Sequence, residues 1–248
     1  MSTVVYEYPT NQTTRKFLRL EQLFHTIGQL IEVQTPATHK AALFRLSELI
    51  DFFDRNDVKT DLIKELERQH QLLSRLADSP AVDSAKLNYF TNQMEKLSAS
   101  LVQMGRPGDL LRHDPVLAAV RQKWSLGGAC CPVDSPLLYH FLAQPPEVIQ
   151  SRLHEWLRKT RCLRTSVNVI LKLYRESGEF KTVLTQQGRY QTEMDARVKL
   201  VIVRIPATVP FIPEVSVGTH RMTLNLNPVG NASVSDTEVQ LQIAKCRA

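Results

Sequence analysis

The apolar residues of this chain change their spacing at Gly178, and that change limits the fold more than any other feature of the sequence. Before Gly178 they recur every three or four positions, as in the segment 11–31, which is the pattern of one buried helix face. After it they alternate, as in 220–227, which is the pattern of a strand with one buried face. Helices followed by strands predict an α+β fold, with an N-terminal α-helical bundle domain at 10–177 and a small antiparallel β-domain at 178–248.

The helical part contains segments with recognisable ends. Thr35 and Pro36 predict a helix start, because a threonine oxygen caps free N–H groups and proline fits the first turn. Two long apolar stripes on either side of the turn "DSPAVD" predict an antiparallel helical hairpin. Its apolar seam packs either inside the domain or against a second copy of the chain. The last helix is predicted to end at Gly178 with a left-handed cap.

The alternating part predicts a hairpin and further strands. The stretch "FKTVLTQQGRYQTEMD" is predicted to be a hairpin with Gly188 at its turn. In "RVKLVIVRI", Val198, Leu200 and Ile202 are predicted to share one face. In "HRMTLNLN" the residues expected to face the core are His220, Met222, Leu224 and Leu226, and those expected to face away are Arg221, Thr223, Asn225 and Asn227. The β-prone N-terminal segment 3–8 is expected to add an edge strand.

The charge of the chain is unevenly distributed. The total is +6, with 31 Lys+Arg and 25 Asp+Glu among 248 residues. Residues 1–150 hold 16 basic and 17 acidic side chains, net −1, so residues 151–248 hold the remaining 15 and 8, net +7. An acidic partner is therefore expected at the C-terminal part, although a basic surface also serves solubility alone. The start has no signal-peptide pattern and no apolar run is long enough to span a bilayer, so we expect a cytoplasmic protein.

No sequence motif for catalysis is recognisable. Cys130 and Cys131 lie side by side after Gly127 and Gly128, whereas metal-binding cysteines are usually two to four residues apart. No second C-x-x-C or histidine pair is available for a metal or redox role, whereas Gly127, Gly128 and Pro132 suit a turn in which the cysteines are small buried residues. The stretch is therefore predicted to be a turn. We expect neither an enzyme nor a bound cofactor or metal.

Individual clustered cations give a second indication of binding. Arg15 and Arg19 lie in the first turns of the first predicted helix, where positive charge opposes the helix dipole. A carboxylate of this protein or of a partner would offset that cost. Arg221 lies on the polar face of its strand beside Thr223, a position suited to an extended anionic peptide.

Four stretches carry a resemblance to a known family. "YEYPTNQTTRKFLRLEQLF", "LSELIDFFDRNDVKTDLIKELERQ", "VRQKWSLGGACCPVDSPLLYHFL" and "THRMTLNLN" occur in the order found in ZapD, a family of bacterial cell-division factors. The resemblance covers essentially the whole chain. It implies a cytoplasmic, non-enzymatic homodimer at the mid-cell division ring that binds the C-terminal tail of the tubulin-like protein FtsZ. By cross-linking filaments, such a dimer would bundle them.

The resemblance also implies a basic pocket for the FtsZ tail. Its residues here are Arg15, Arg19, Arg55, Arg112, Tyr139, His140 and Arg221. The sequence departs from the family at Asn225, where a second arginine is expected on the strand after Arg221. Arg55 could also be a simple helix-end cation. The alternative hypothesis is a nucleic-acid-binding protein that uses the basic C-terminal region, but the chain has no recognisable nucleic-acid-binding motif.

Overall fold

The computed structural model describes residues 2–75, 83–123, 132–230 and 238–247. The chain divides into two compact units. The β unit comprises Met1–Leu18 and Ile170–Ala248, and the helical unit comprises Arg19–Val169. Helices occupy the first part of the sequence and antiparallel sheets the last part, so the α+β prediction is confirmed.

The element bounds follow chain order. The helices are α1 (Gln12–Glu32), α2 (Pro36–Arg55), α3 (Val58–Ser74), α4 (Ser84–Gln103), α5 (Asp109–Arg112), α6 (Pro115–Lys123), α7 (Pro136–Leu142), α8 (Pro146–Lys159) and α9 (Arg161–Glu176). The strands are β1 (Thr3–Pro9), β2 (Phe180–Leu184), β3 (Arg189–Glu193), β4 (Val198–Pro206), β5 (Phe211–Val217), β6 (Arg221–Pro228) and β7 (Gln240–Arg247). The predicted N-terminal strand is β1, which pairs with β4.

Two antiparallel sheets form the β unit. One has the strand order β1-β4-β7-β2 and the other β3-β6-β5. Apolar side chains from both sheets form one core, as expected for sheets packed face to face. The alternation within β6 is confirmed, because Met222, Leu224 and Leu226 are buried in this core while Arg221 and Asn225 are exposed. The core position expected for His220 was wrong, because that residue precedes the strand and is exposed.

The predicted shared face of β4 was wrong for Val198, whereas Leu200 and Ile202 do lie on one face. The register against β7 shifts between Val198 and Leu200, which is the sign of a β-bulge. A bulge adds one residue to one strand and so reverses the alternation beyond it. Val198 therefore shares the sandwich core with Val201 and Val203, while Leu200 and Ile202 are buried outside that core.

The predicted hairpin at Gly188 was wrong in its pairing, although its turn is present. Gln186 and Arg189 exchange two backbone hydrogen bonds, and both residues between them have positive φ. The two strands then separate: β2 pairs with β7 in one sheet, and β3 pairs with β6 in the other. The turn thus carries the chain from one layer of the sandwich to the next.

Two glycine substitutions test this backbone geometry. Gly188 has φ 69°, a region that alanine enters at a cost, so Gly188→Ala should lower the free energy of unfolding by about 1 kcal/mol. Gly28 lies inside α1, and a Cβ there would meet nothing within 4 Å. Gly28→Ala should therefore raise stability by about 0.5–1 kcal/mol. Urea unfolding of both variants checks the pair, and effects of the same sign would contradict the assignment.

Gly178 follows the last helix as predicted, but the predicted left-handed cap was wrong. Positive φ occurs at other glycines and not at Gly178, so no left-handed cap forms there. Instead, a Cβ on Gly178 would lie 2.6 Å from the Sγ atom of Cys246 on β7. The residue is small because the chain after α9 packs closely on the sheet. Nearby, the Arg175 guanidinium of α9 donates to both carboxylate oxygens of Glu7 on β1, at 2.7 and 2.8 Å.

Helix α2 organises the helical unit. It starts as predicted, because Thr35 and Thr38 cap each other's backbone N–H groups and Pro36 follows. It packs against α6, α7 and α8. Between these elements, Asp114 accepts hydrogen bonds from Trp156 Nε1 at 3.0 Å and from Arg152 Nη2 at 2.7 Å.

The predicted helical hairpin is formed by α3 and α4. Lys59 at the start of α3 donates to the backbone oxygens of Val102 and Met104 at the end of α4, which shows that the helices are antiparallel. Its charge also lies where a helix C-terminus favours a cation. Gln69, which interrupts the apolar stripe of α3, is buried and donates to Glu65 Oε1 at 2.9 Å.

Candidate functional site

Two of the predicted site arginines lie one turn apart on α1. Arg15 and Arg19 are both exposed, and Phe17 and Leu20 between and beside them are fully buried. The apolar stripe thus fixes which way the helix presents its cations. Within the described ranges, neither guanidinium has a hydrogen bond or an ion pair. The intramolecular salt bridge that could have explained their position is therefore not seen among those residues.

Arg55 is the last residue of α2 and Arg112 binds the preceding residue Asp54, but the two arginines differ in their partners. Arg55 is exposed in the last turn of α2, and its side chain has no ion pair with any residue that the structure describes. Arg112 bonds through Nη2 to Asp54, and its Nη1 lies 3.6 Å from Asp109 Oδ1. Asp54 is further bound by Arg121 at 3.0 Å. The charge of Arg112 is therefore already largely offset within the protein.

Tyr139 and His140 lie next to each other on α7, and both are exposed. The neighbouring residues Leu138 and Phe141 are buried, and the helix packs against α2 and α6. This anchoring leaves Tyr139 with about half of its surface free for contact. An exposed ring and an exposed imidazole can provide an apolar contact and a hydrogen bond to a ligand.

Arg221 lies on the outer face of the three-stranded sheet. It begins β6, the central strand, and stands opposite Glu193 of β3 without an ion pair among the described side chains. The register also places Arg189 of β3 directly opposite Asn225. Position 225 of β6, where the resemblance leads one to expect an arginine, therefore has Arg189 as its neighbour on β3. Sequence reasoning missed Arg189, because only the strand register reveals that neighbour.

A second group of basic side chains, which the sequence reasoning did not identify, lies between α1 and α9 in the helical unit. These helices border an open groove of about 920 Å³, which Arg161 and Arg164 line from α9 and His25 lines from α1. The i, i+3 spacing of the two arginines on a helix was the signal that could have found them. Gly28 leaves space on the α1 side.

The described cysteines show no sign of reactivity. Burial raises the pKa of the Cys162 thiol, and burial followed by the charge of Glu7 raises the pKa of Cys246 to about 11. Both thiols therefore stay protonated at neutral pH, and a protonated thiol is a poor nucleophile and metal ligand. Within the part of the chain that the structure describes, no group of three metal-ligating side chains is present. Cys130 and Cys131 lie outside that part.

Alkylation should confirm the protection of Cys246. In folded protein at pH 8, iodoacetamide should modify Cys246 at least tenfold more slowly than a free cysteine peptide, because its pKa of about 11 leaves little thiolate. The same protein in denaturant should react at the peptide rate. Mass spectrometry of the peptide containing Cys246 measures both rates, and equal rates would contradict the raised pKa.

Together these features define the class of the molecule. It is an α+β protein with a helical unit and a β-sandwich unit, and several of its arginines are exposed and have no ion pair with a carboxylate that the structure describes. No helix within the described ranges has both the length and the apolar character needed to cross a membrane.

Comparison with known proteins assigns the family. Residues 18–225 match the family model described as "ZapD: Cell division protein". The chain belongs to the ZapD family, which gives it a role in cell division.

Relatives named "Cell division protein ZapD" are similar over nearly their whole length. The protein from Pectobacterium atrosepticum is 32% identical over 228 residues, which cover 92% of this chain and 91% of that protein. The protein from Cupriavidus pinatubonensis is 35% identical over 222 residues, 88% of each chain. The protein from Aromatoleum aromaticum is 30% identical over 248 residues, 98% of this chain and 97% of that protein.

Proposed function

We propose that this protein binds the C-terminal tail of FtsZ in the cytoplasm and, as a homodimer, cross-links FtsZ filaments at the mid-cell division ring. The proposed contact residues are Arg15, Arg19, Arg55 and Arg221, with Arg112, Tyr139 and His140 as further contributors. A dimer carries two such sites, so one molecule can hold two filaments. Filaments display many tails, and weak single contacts then add up to strong attachment.

The observation that carries this proposal is the state of the four arginines. Arg15, Arg19, Arg55 and Arg221 are exposed, and in the described ranges none of them is paired with a carboxylate. An arginine guanidinium can donate two parallel hydrogen bonds to one carboxylate, which makes it well suited to an acidic peptide end. Arg112 differs, because Asp54 and Asp109 already bind it, and its share in the site is expected to be smaller.

Co-sedimentation with polymerised FtsZ tests the proposal. The purified protein should pellet with full-length FtsZ filaments and should not pellet with filaments that lack the C-terminal tail. Electron microscopy should show bundles only in the first case. Equal pelleting with both filament types would mean that the tail is not the binding element.

The requirement for a dimer is tested separately by sedimentation velocity. A mass of two chains at micromolar concentration is expected, because bundling by a two-site molecule needs both copies. A monomer that still bundles filaments would contradict the cross-linking mechanism while leaving tail binding intact.

A further inference from the structure

The β unit has a second candidate binding site, a cleft along one open side of its sandwich. There the edge strands β2 and β3 belong to different sheets and meet only at the turn through Gly188. The cleft has a volume of about 570 Å³. Its floor is apolar, formed by Ile243 of the sandwich core and by Val183 and Tyr190 packed against that core.

Positive charge surrounds this apolar floor. Lys181, Lys245 and Arg247 line the cleft, and Glu179 is the only carboxylate among its described lining residues. The Lys245 ammonium donates to Thr192 Oγ1 at 2.9 Å and to the Glu193 backbone oxygen at 2.5 Å, which holds it against β3. The cleft therefore has more cationic than anionic groups of its own.

The surplus charge also affects the pKa of Lys245. Burial lowers its pKa, and the charges of Arg247 and Lys181 lower it further, whereas Glu193 acts in the opposite direction. Among the described residues, the ion pair of the Arg247 guanidinium is a distant one, 3.9 Å from its Nε to Asp195 Oδ2. Mutual repulsion of three cations would be relieved by a bound anion.

The backbone around the cleft favours a peptide as that anion. Among the strands that the structure describes, β2 pairs only with β7, so half of its N–H and C=O groups are available along its outer edge. An extended peptide can bind such an edge through its own backbone while its side chains enter the pockets beside it. Nucleic acid would favour a series of aromatic platforms, and Tyr190 is the single aromatic side chain of the described lining.

We propose that this cleft binds an acidic peptide segment of a partner protein, in extended conformation along the edge of β2. The peptide side chains that face the cleft are apolar where they meet Val183 and Ile243, and they are carboxylates where they meet Lys181, Lys245 and Arg247. The site consists of residues of the β unit alone and uses none of the seven residues proposed for the FtsZ tail.

Fluorescence anisotropy tests the cleft with a labelled ten-residue peptide in which glutamate and valine take turns at every second position, with serine between them, so that both side-chain types lie on one face of the strand. Lys181→Glu should weaken binding at least tenfold, because it reverses an exposed charge at the cleft, and Lys245→Gln at least threefold. Lys172→Gln, which removes a charge from α9 in the same unit, should stay within twofold. Unchanged affinity of Lys181→Glu would overturn the proposal.

Backbone amide NMR of the full chain locates the same peptide. Shifts are expected in Phe180–Leu184, and equal shifts with inorganic phosphate alone, or with single-stranded DNA, would overturn the assignment to a peptide. The Arg221→Glu variant should bind the probe peptide within twofold of the native protein. A tenfold loss there would mean that the cleft is not a separate site, whereas failure of FtsZ binding alone would leave this result unaffected.

Discussion

Replacing Arg221 by glutamate should weaken binding of a synthetic FtsZ tail peptide by at least tenfold. A hydrogen bond to a charged group contributes about 1.5–3 kcal/mol, which corresponds to roughly 10–150-fold in affinity, and the new carboxylate would also repel an acidic tail. Arg221 is exposed and has no described ion pair, so its loss should leave the fold intact. Isothermal titration calorimetry measures the affinity, and urea unfolding measures the stability.

Two further variants make this result interpretable. In Arg221→Glu, the new side chain stands directly opposite Glu193 in the ladder, and like charges there can lower stability slightly. Arg221→Gln avoids that pair and should give an intermediate affinity. Lys172→Glu reverses an exposed charge on α9 and should bind the tail within about twofold of the native protein. If Arg221→Glu binds as well as Lys172→Glu, Arg221 does not belong to the site.

The largest effect on stability is expected from Asp114→Ala. The Asp114 carboxylate accepts from the buried Trp156 indole and from Arg152, and it also caps the N-terminus of α6 through Val116 and Leu117. Its removal leaves the indole N–H of a fully buried ring without an acceptor. The lost cap and the unsatisfied donor together should cost about 3 kcal/mol.

Asp109→Ala is the matched control for this substitution. Asp109 also carries a carboxylate beside an arginine, but it is exposed and lies 3.6 Å from Arg112. A surface pair of this kind is worth less than about 1 kcal/mol. Urea unfolding followed by tryptophan fluorescence should therefore separate the two variants by about 2 kcal/mol. Equal losses would show that the buried hydrogen bonds of Asp114 do not stabilise the helical unit.

Local sequence patterns predicted where the helices and strands occur better than which strands pair with each other. The stripe of α1 and the alternation of β6 depend on residues close together in sequence, and both are confirmed by burial. The placement of β2 and β3 in different sheets could not be predicted, because the turn at Gly188 has the geometry of a hairpin. Where the two strands continue beyond that turn depends on packing in the core. The bulge in β4 could not be predicted either. Nearly every residue of that strand is apolar, so the sequence pattern does not show where the alternation changes.

In the candidate site, too, the sequence predicted local features but not contacts between residues far apart in the chain. The exposure of Arg15, Arg19 and Arg221 follows from their positions opposite apolar stripes, which the sequence contains. The pairing of Arg112 with Asp54 joins residues 58 positions apart, and the placement of Arg189 opposite Asn225 depends on strand register. Neither relation leaves a local pattern, so both needed the folded structure.

Photocrosslinking of the FtsZ tail tests the central claim, that exposed arginines of α1 and β6 capture an acidic peptide. A synthetic tail peptide carrying a photoreactive side chain is bound to the native protein, irradiated, and mapped by mass spectrometry. The expected crosslinks lie within α1 around Arg15 and Arg19 and within β6 around Arg221, and they disappear in the Arg15→Glu, Arg221→Glu double variant. Crosslinks confined to the α3–α4 hairpin, or unchanged in that variant, would contradict the claim.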